Sequence, residues 1–288
     1  MKYALNTWKS MENKDFVVFI LTHARPDNLK TLSTLKKCGY TGNYCLVIDN
    51  QDPFLSRYIE NYGEENIKVF DKQGMVASVD NGNNFGNTDV ILYARNACFD
   101  IARKMGVTYF MELDDDYYYF GYRFDTGARI IKNIDAVFDS MLNFYKSVNI
   151  KSIAFSQGGD HIGGFSGIKL LRKCMNSFLC STKRQFDFVG SLNEDVNTYI
   201  TLGHKGDIFF TFTNIQLDQK DTQSNAGGMT EQYQLSGTYV KSFQSVVMHP
   251  SGTRVSMMNS ANTRIHHTIK WKNTAPKILD DIYKKKQI

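Results

Sequence analysis

Four short apolar runs, separated by segments of helical period, constrain this chain more than any other feature. They are residues 16–22 (FVVFILT), 43–49 (NYCLVID), a weaker run at 66–70 around IKVF, and 107–113 (VTYFMEL). A strand with one wet face alternates polar and apolar residues, whereas an unbroken run marks a strand covered on both faces. Between the runs, Ala94, Cys98, Ile101 and Met105 fall near one helical face in 89–105, with Gly106 as a helix stop. In 131–148, Ile134, Val137, Phe138, Met141, Leu142 and Tyr145 follow the 3.6-residue period. Strand then helix, four times over, predicts an α/β fold on a mostly parallel sheet.

The pattern changes after about residue 150. IKSIAFS (150–156) reads as a strand, SQGGDHIGGFSG (156–167) as a glycine-rich loop, EDVNTYITLG (194–203) as a short helix, and GDIFFTFTNIQ (206–216) as another strand. QKDTQSNAGGMTEQ (219–232) is polar and is expected to be mobile. With 42% hydrophobic residues in 288, the chain can bury a large core. No repeat or linker divides it, so one unit over 1–288 is expected. The five cysteines form no CxxC pair and sit in apolar stretches, as buried free thiols in a reducing compartment do. No stretch approaches about 18 apolar residues and Met1–Lys14 is polar, so no membrane span and a cytoplasmic location are expected. GxxxxGK[ST] is absent, as is GxGxxG after the first strand, which disfavours P-loop and dinucleotide-binding folds.

In open parallel sheets, ligands bind beyond the carboxyl ends of the strands. Three such ends carry polar residues here: Thr22-His23-Ala24-Arg25, Asp49-Asn50 and Asp114-Asp115-Asp116. The triplet is the sharpest signal. Adjacent carboxylates at the end of a buried strand repel one another unless a cation joins them, and Mg²⁺ or Mn²⁺ on oxygen ligands would also bridge phosphates. Glu194-Asp195, at a helix start, suits the helix dipole and equally suits a general base.

The block LYARNACFDIARKMGVTYFMELDDDYYY (92–119) resembles the GT-A glycosyltransferases, in which an Arg-Asn-bearing helix precedes a buried strand ending in Asp-x-Asp. The similarity reaches upstream to FVVFILTHARPDN and downstream to VGSLNEDVNTYITLGHKGDIFF (189–210), which looks like the family's Glu-Asp segment. The resemblance implies a GT-A architecture. A mostly parallel, Rossmann-like nucleotide-sugar half (about 15–125) would merge with a mixed acceptor-binding half (126–288). It implies Asp116 and Asp114 as metal ligands, Asp114 also against the ribose or sugar, and Asp115 at the motif's variable position beside the donor. Thr22 and Arg25 would line the nucleotide pocket, Asp49 would approach the base or ribose, and Arg95 would face the diphosphate or sugar. Asp195, with Glu194 beside it, would be the general base. His249 is the expected third metal ligand, with His266 and His267 as alternates. The implied cofactors are Mn²⁺ or Mg²⁺ and a nucleotide sugar, with UDP as the family expectation.

The combination of THARP, IDNQDP, ARN and ELDDDY also resembles a phage-associated branch, the TET-associated glycosyltransferases. That resemblance implies a hydroxymethylated pyrimidine in double-stranded DNA as acceptor, in the host cytoplasm. A net charge of +5 permits such an acceptor, and YYYFGYRF (117–124), Lys183-Arg184 and HTIKWK (267–272) offer aromatic and basic residues for one. Arg254, Lys270 and Lys272 could close over the phosphates. A polysaccharide or protein acceptor, and a sugar nucleotidyltransferase, are the alternatives.

Overall fold

The computed structural model describes residues 15–82, 88–124, 127–161, 168–169, 173–219, 229–258, 263–281 and 284. The segment Met1–Lys14 and the turn-rich NNFGN (83–87) lie outside these, as do parts of the glycine-rich loop and of the polar stretch at 219–232.

The first part of the chain runs β1 (Phe16–Leu21), α1 (Lys30–Lys37), β2 (Tyr44–Asp49), α2 (Leu55–Tyr62), β3 (Ile67–Phe70), α3 (Lys72–Ser78), α4 (Leu92–Lys104) and β4 (Tyr109–Asp114). Then come β5 (Tyr117–Phe124), β6 (Gly127–Ile130), α5 (Ile134–Ser147), β7 (Ser152–Ser156), β8 (Ile168–Lys169), β9 (Ser177–Ser181), α6 (Glu194–His204) and β10 (Phe209–Gln219). α7 (Met229–Met248), β11 (Thr253–Met258), β12 (Arg264–Ile269) and α8 (Trp271–Thr274) follow.

One sheet has the order β3-β2-β1-β4-β9-β7-β10-β5-β6, with β8 also on β10. Its first four strands are all parallel. Beyond β4 the pairing is mixed: β9 is antiparallel to both β4 and β7, β7 and β10 are parallel, and β5 and β6 return antiparallel. This is the expected GT-A-type α/β architecture, a parallel half merged with a mixed half. β11 and β12 form a separate hairpin against α7.

The unbroken apolar runs are explained by burial on both faces. Phe16, Val18 and Ile20 join the core beneath α1, α2 and α5, while Val17, Phe19 and Leu21 join the core beneath α4 and α6. At the end of α4, Gly106 takes φ +69°, a left-handed turn that glycine adopts without Cβ strain. Asn133 caps α5 through a side-chain bond from the Ala136 N–H. YYYFGYRF is a sheet strand, β5, with Tyr117 and Phe120 fully buried and Tyr118 exposed. Its Tyr117, Phe120 and Gly121 are sheet core, and only the outward residues remain for an acceptor.

Strand order places the site. The chain builds β1, β2, β3 outward in one direction, then crosses back to lay β4 on the other side of β1. Ligands bind at such a switch point, where two neighbouring strands send their following loops apart. Leu21 pairs with Asp114, so the residues that follow β1 and β4 emerge side by side.

Candidate active site

The end of β4 is shaped from the opposite strand and helix. The Thr31 hydroxyl, at the start of α1, donates to the Asp114 carbonyl and accepts the Tyr117 N–H at 2.9 Å. The Thr31 N–H donates to the Asp115 carbonyl at 3.1 Å. The carboxylates of Asp114 and Asp115 take different partners. Asp115 points back to β1, where it accepts from Thr22 Oγ1 at 2.8 Å and Arg25 Nη1 at 2.9 Å and is buried. Tyr58 Oη lies 3.0 Å from Thr22 Oγ1 and accepts the Arg25 N–H at 2.8 Å. Thr22, Arg25 and Asp115, expected in the nucleotide pocket, thus clamp the two strand ends together. The Arg25 side chain is still more than a quarter exposed.

Asp114 points to the other face. Its Oδ1 accepts from Arg95 Nη2 at 3.0 Å, and Glu194 Oε1 accepts from Arg95 Nε at 2.9 Å. Glu112, two residues earlier on the same face of β4, lies 3.8 Å from Arg95 Nη1. The guanidinium packs over the Phe178 and Phe188 rings and is 1% exposed. That burial corrects the expectation that Arg95 faces the diphosphate. It is a brace beneath the carboxylates, holding the end of β4 to the start of α6. Burial, opposed by Arg95, raises the Glu112 carboxyl well above the usual carboxylate range. Burial, outweighing Arg95 and reinforced by Asp116, Glu194 and Asp115, pushes Asp114 up to about 7. Asp116 is raised by burial and by Asp115, and makes no ion pair among the described residues.

Glu194 and Asp195 open α6. The turn before them needs Gly190, at φ +84°, because a Cβ there would meet Asn197 Nδ2 at 2.3 Å. Asn193 holds a left-handed φ of 55°, its side chain donating to the Lys241 carbonyl of α7 at 2.7 Å. Asp195 is buried, and burial with the charge of Glu194 pushes it up to about 7.

At the end of β2, Asp49 Oδ2 sits 2.7 Å from His23 Nδ1, and Lys72 Nζ lies 3.9 Å from its Oδ1. Burial raises the Asp49 carboxyl, but the His23 bond and Lys72 outweigh it and leave it lowered; the same bond raises His23. Asp52 accepts the Ala24 N–H at 2.7 Å and so holds Ala24 at φ 54°, strained backbone at the site's edge. Thr22, Arg25, Asp49 and Asp114–Asp116 therefore share one edge of the sheet, as expected, with Glu194 and Asp195 joined through Arg95.

A model of the TET-associated glycosyltransferase family matches residues 16–228 of the 288. The chain belongs to this family. It is a glycosyltransferase, and the strand-end carboxylates lie inside the matched span. No curated protein matches it. Among solved structures, it is similar to glucosyl-3-phosphoglycerate synthase from Mycobacterium tuberculosis with Mg²⁺ and UDP, at 9% identity over 89% of this chain and 88% of that one, with a TM-score of 0.47. The same synthase with Mn²⁺, UDP and glucosyl-3-phosphoglycerate matches at 9% identity, 93% and 94% coverage and a TM-score of 0.46. TarS of S. aureus matches at 12% identity over 70% of this chain and 36% of that one, with a TM-score of 0.43.

The glycosyltransferase does not bring His249 to the carboxylates. The His249 ring lies 5.1 Å from that of His204, at the far end of α6 from Glu194. Eleven residues of helix span about 16 Å. α7 runs alongside α6 in the same direction, Lys241 meeting Asn193 and His249 meeting His204, so a histidine late in α7 is carried away from the site. Among the described residues no three His, Cys, Asp or Glu side chains gather as a metal cage. The donor set that remains, Asp114 and Asp116, still fits a cation: two carboxylates raised by burial and by neighbouring carboxylates, with substrate phosphates to complete the shell. Mg²⁺ and its relatives are commonly held that way. Lys183 and Arg184 are not at the acceptor side either. Arg184 Nη1 donates to the carbonyls of Tyr145, Val148 and Ile150, capping the end of α5.

Glu112, Tyr58, Asp52 and Lys72 were not anticipated. Glu112 had a signal, the lone charge inside an apolar strand two residues before Asp114; Tyr58 and Lys72 had none.

A pH dependence follows from Asp114. A cation competes with the proton on a carboxyl raised to about 7. The Mn²⁺ binding constant is expected to rise about tenfold per pH unit below pH 7 and to flatten above it. Calorimetry in two buffers of different ionisation enthalpy reads the released proton. Affinity constant between pH 6 and 8 would contradict the raised carboxyl.

Proposed function

We propose that this glycosyltransferase moves a sugar from a UDP-sugar donor to the hydroxymethyl group of a pyrimidine in double-stranded DNA. The observation that carries the donor half is the pair Asp114 and Asp116 at the β1/β4 switch point, both raised by burial, Asp114 also by Asp116 and Asp116 also by Asp115. The family match supports the acceptor half. Asp114 and Asp116 would hold Mn²⁺ or Mg²⁺, which when bound stabilises the charge building on the departing diphosphate. His23, Asp49 and Arg25, at the ends of β1 and β2, would orient the nucleoside. In this reading the parallel half to about residue 125 serves the donor and the remainder the acceptor, as one unit.

Asp195 takes the proton from the acceptor hydroxyl as its oxygen bonds to the anomeric carbon and the bond to the diphosphate breaks. A carboxyl near 7 suits that role, since a base is most effective when its pKa lies close to the working pH. Arg95 holds Glu194 beside it and fixes the start of α6. Among the described residues no helix is long and apolar enough to cross a membrane.

The test is incubation with labelled nucleotide sugars, Mn²⁺, and hydroxymethylated or plain duplex DNA. Label is expected only on the hydroxymethylated duplex, with nucleoside diphosphate and no pyrophosphate released. Label on neither duplex removes the DNA acceptor; pyrophosphate release would mark a nucleotidyltransferase. Asp195→Asn is expected to cut transfer on the order of a hundred-fold or more while leaving UDP–Mn²⁺ affinity within about twofold. An equal loss of donor affinity would refute its role as base.

A further inference from the structure

On β10, Leu217 packs into the core beneath α1 and α5, as does Phe120 on β5. The pleat sends their neighbours Gln216, Asp218, Tyr119 and Gly121 to the opposite face of the sheet. That is the face on which Phe178 carries Arg95 and against which α6 packs. Register sets these residues side by side. Gln216 pairs with Gly121 on one flank and with Ser156 of β7 on the other, and Asp218 pairs with Tyr119. Gln219 pairs with Tyr117, the residue after Asp116, so the patch begins within three residues of the Asp triplet.

Two features of this patch have no explanation within the fold. The Tyr119 ring lies across Gly121, in the space any other residue would fill with its Cβ, and meets no other aromatic ring among the described residues. The residue is only half-buried, so the ring keeps an open side. Gln216 is 7% exposed, and its Nε2 donates to Asp218 Oδ1 at 2.7 Å. Its Oε1 is buried with no hydrogen-bond partner. The register neighbours supply none: Gly121 has no side chain, and the Ser156 hydroxyl donates to the Ile215 carbonyl at 2.8 Å. A buried carbonyl left unpaired is costly, and a donor that arrives with a ligand accounts for it.

We propose that Tyr119 and Gln216 form the subsite for the target base, the pyrimidine stacking on Tyr119 while an N–H on its edge donates to Gln216 Oε1. The inference rests on the DNA-acceptor reading and deepens it. A base turned out of a duplex loses a stacking partner and a pairing partner together, and a ring beside an unpaired carbonyl replaces one of each. Cytosine offers its exocyclic amine and uracil its ring N–H, so both hydroxymethylated bases carry the donor. Three residues span at most about 10 Å, so a base on Tyr119 stays within reach of a sugar held at Asp116.

The test has a binding arm and a transfer arm. Fluorescence anisotropy compares two short single strands, one with a hydroxymethylated target and one with an abasic site in its place, so that no base need be extruded. Transfer kinetics use hydroxymethylcytosine and hydroxymethyluracil duplexes, and calorimetry reads UDP–Mn²⁺ affinity. The proteins are wild type, Tyr119→Ala, Tyr119→Phe, Gly121→Ala and Gln216→Leu. Wild type is expected to prefer the base-bearing strand about tenfold. Tyr119→Ala should lose that preference and Tyr119→Phe keep it. Gly121→Ala, which displaces the ring without removing it, should lose most of it. Gln216→Leu should raise KM for the duplex about tenfold with UDP–Mn²⁺ affinity unchanged and Tm unchanged or higher, because it removes an unpaired buried oxygen. A wild type that binds both strands equally, or a Tyr119→Ala that keeps the preference, would overturn the inference. Weakened UDP binding in these variants would overturn it too, since the patch would then serve the donor. If the preference depends on Tyr119 but the wild type glycosylates neither duplex, the acceptor reading fails and the subsite stands. If hydroxymethylated duplex is glycosylated equally by wild type and every variant, the subsite fails alone.

Discussion

Arg95→Met is expected to lower folding stability by about 3–5 kcal/mol, seen as a fall in Tm of roughly 10 °C. Methionine replaces the aliphatic stem and lacks the guanidinium, so the loss combines the charge with the contacts over Phe178 and Phe188. Arg95 is 1% exposed and bonds both Asp114 and Glu194, while Glu112 lies within 4 Å. Removing Arg95 takes away the guanidinium that bonds both Asp114 and Glu194, and breaking a buried ion pair from one side is more damaging than never having built it. Adding Glu194→Gln to Arg95→Met should restore part of the loss, and a double-mutant cycle gives the coupling energy. Arg95→Lys should rescue little, since a point charge cannot span two carboxylates as a planar fork does. A Tm within a degree or two of wild type for Arg95→Met would show that the brace carries no stability.

Asp116→Asn should behave in the opposite way. Turnover is expected to fall on the order of a thousand-fold, because the metal is worth several kcal/mol of charge stabilisation on the leaving diphosphate. Folding is expected to be unharmed and the metal-free Tm unchanged or higher. Burial and the neighbouring Asp115 both disfavour the Asp116 carboxylate, and the amide removes that repulsion. Activity loss with gain or retention of stability is the signature of a group kept for chemistry. A fall in Tm comparable to that of Arg95→Met would make Asp116 structural.

The parallel half of the fold was legible because β1, β2 and β4 are buried on both faces and leave unbroken apolar runs, while the edge strand β3, with Val69 exposed, leaves only a weak one; all four lie within a residue or two of their expected ends. The convergence of Thr22, Asp49 and the Asp triplet was legible for the same reason, since parallel strands send their carboxyl ends to one edge. The roles along that edge were not. Whether Arg95 faces a ligand or the core depends on which side of α4 meets β4 and β9, and the Phe178 and Phe188 rings that cover it come from sequence-distant segments. His249 was misplaced because residue order does not tell whether α7 runs with or against α6. Tyr119 and Gln216 gave no signal as a pair, because only the pairing of β5 with β10 sets them side by side. The aromatic run at 117–124 reads equally well as a binding platform or as a strand until β10 is known to pair with it.

The central claim is that the end of β4 grips a cation and, through it, the donor diphosphate. The most direct measurement is an anomalous-scattering map from crystals grown with UDP and Mn²⁺. A manganese peak touching the Asp116 and Asp114 carboxylates and both phosphates of UDP is the result expected. UDP bound with the metal elsewhere, or with no metal at all under saturating Mn²⁺, would contradict it.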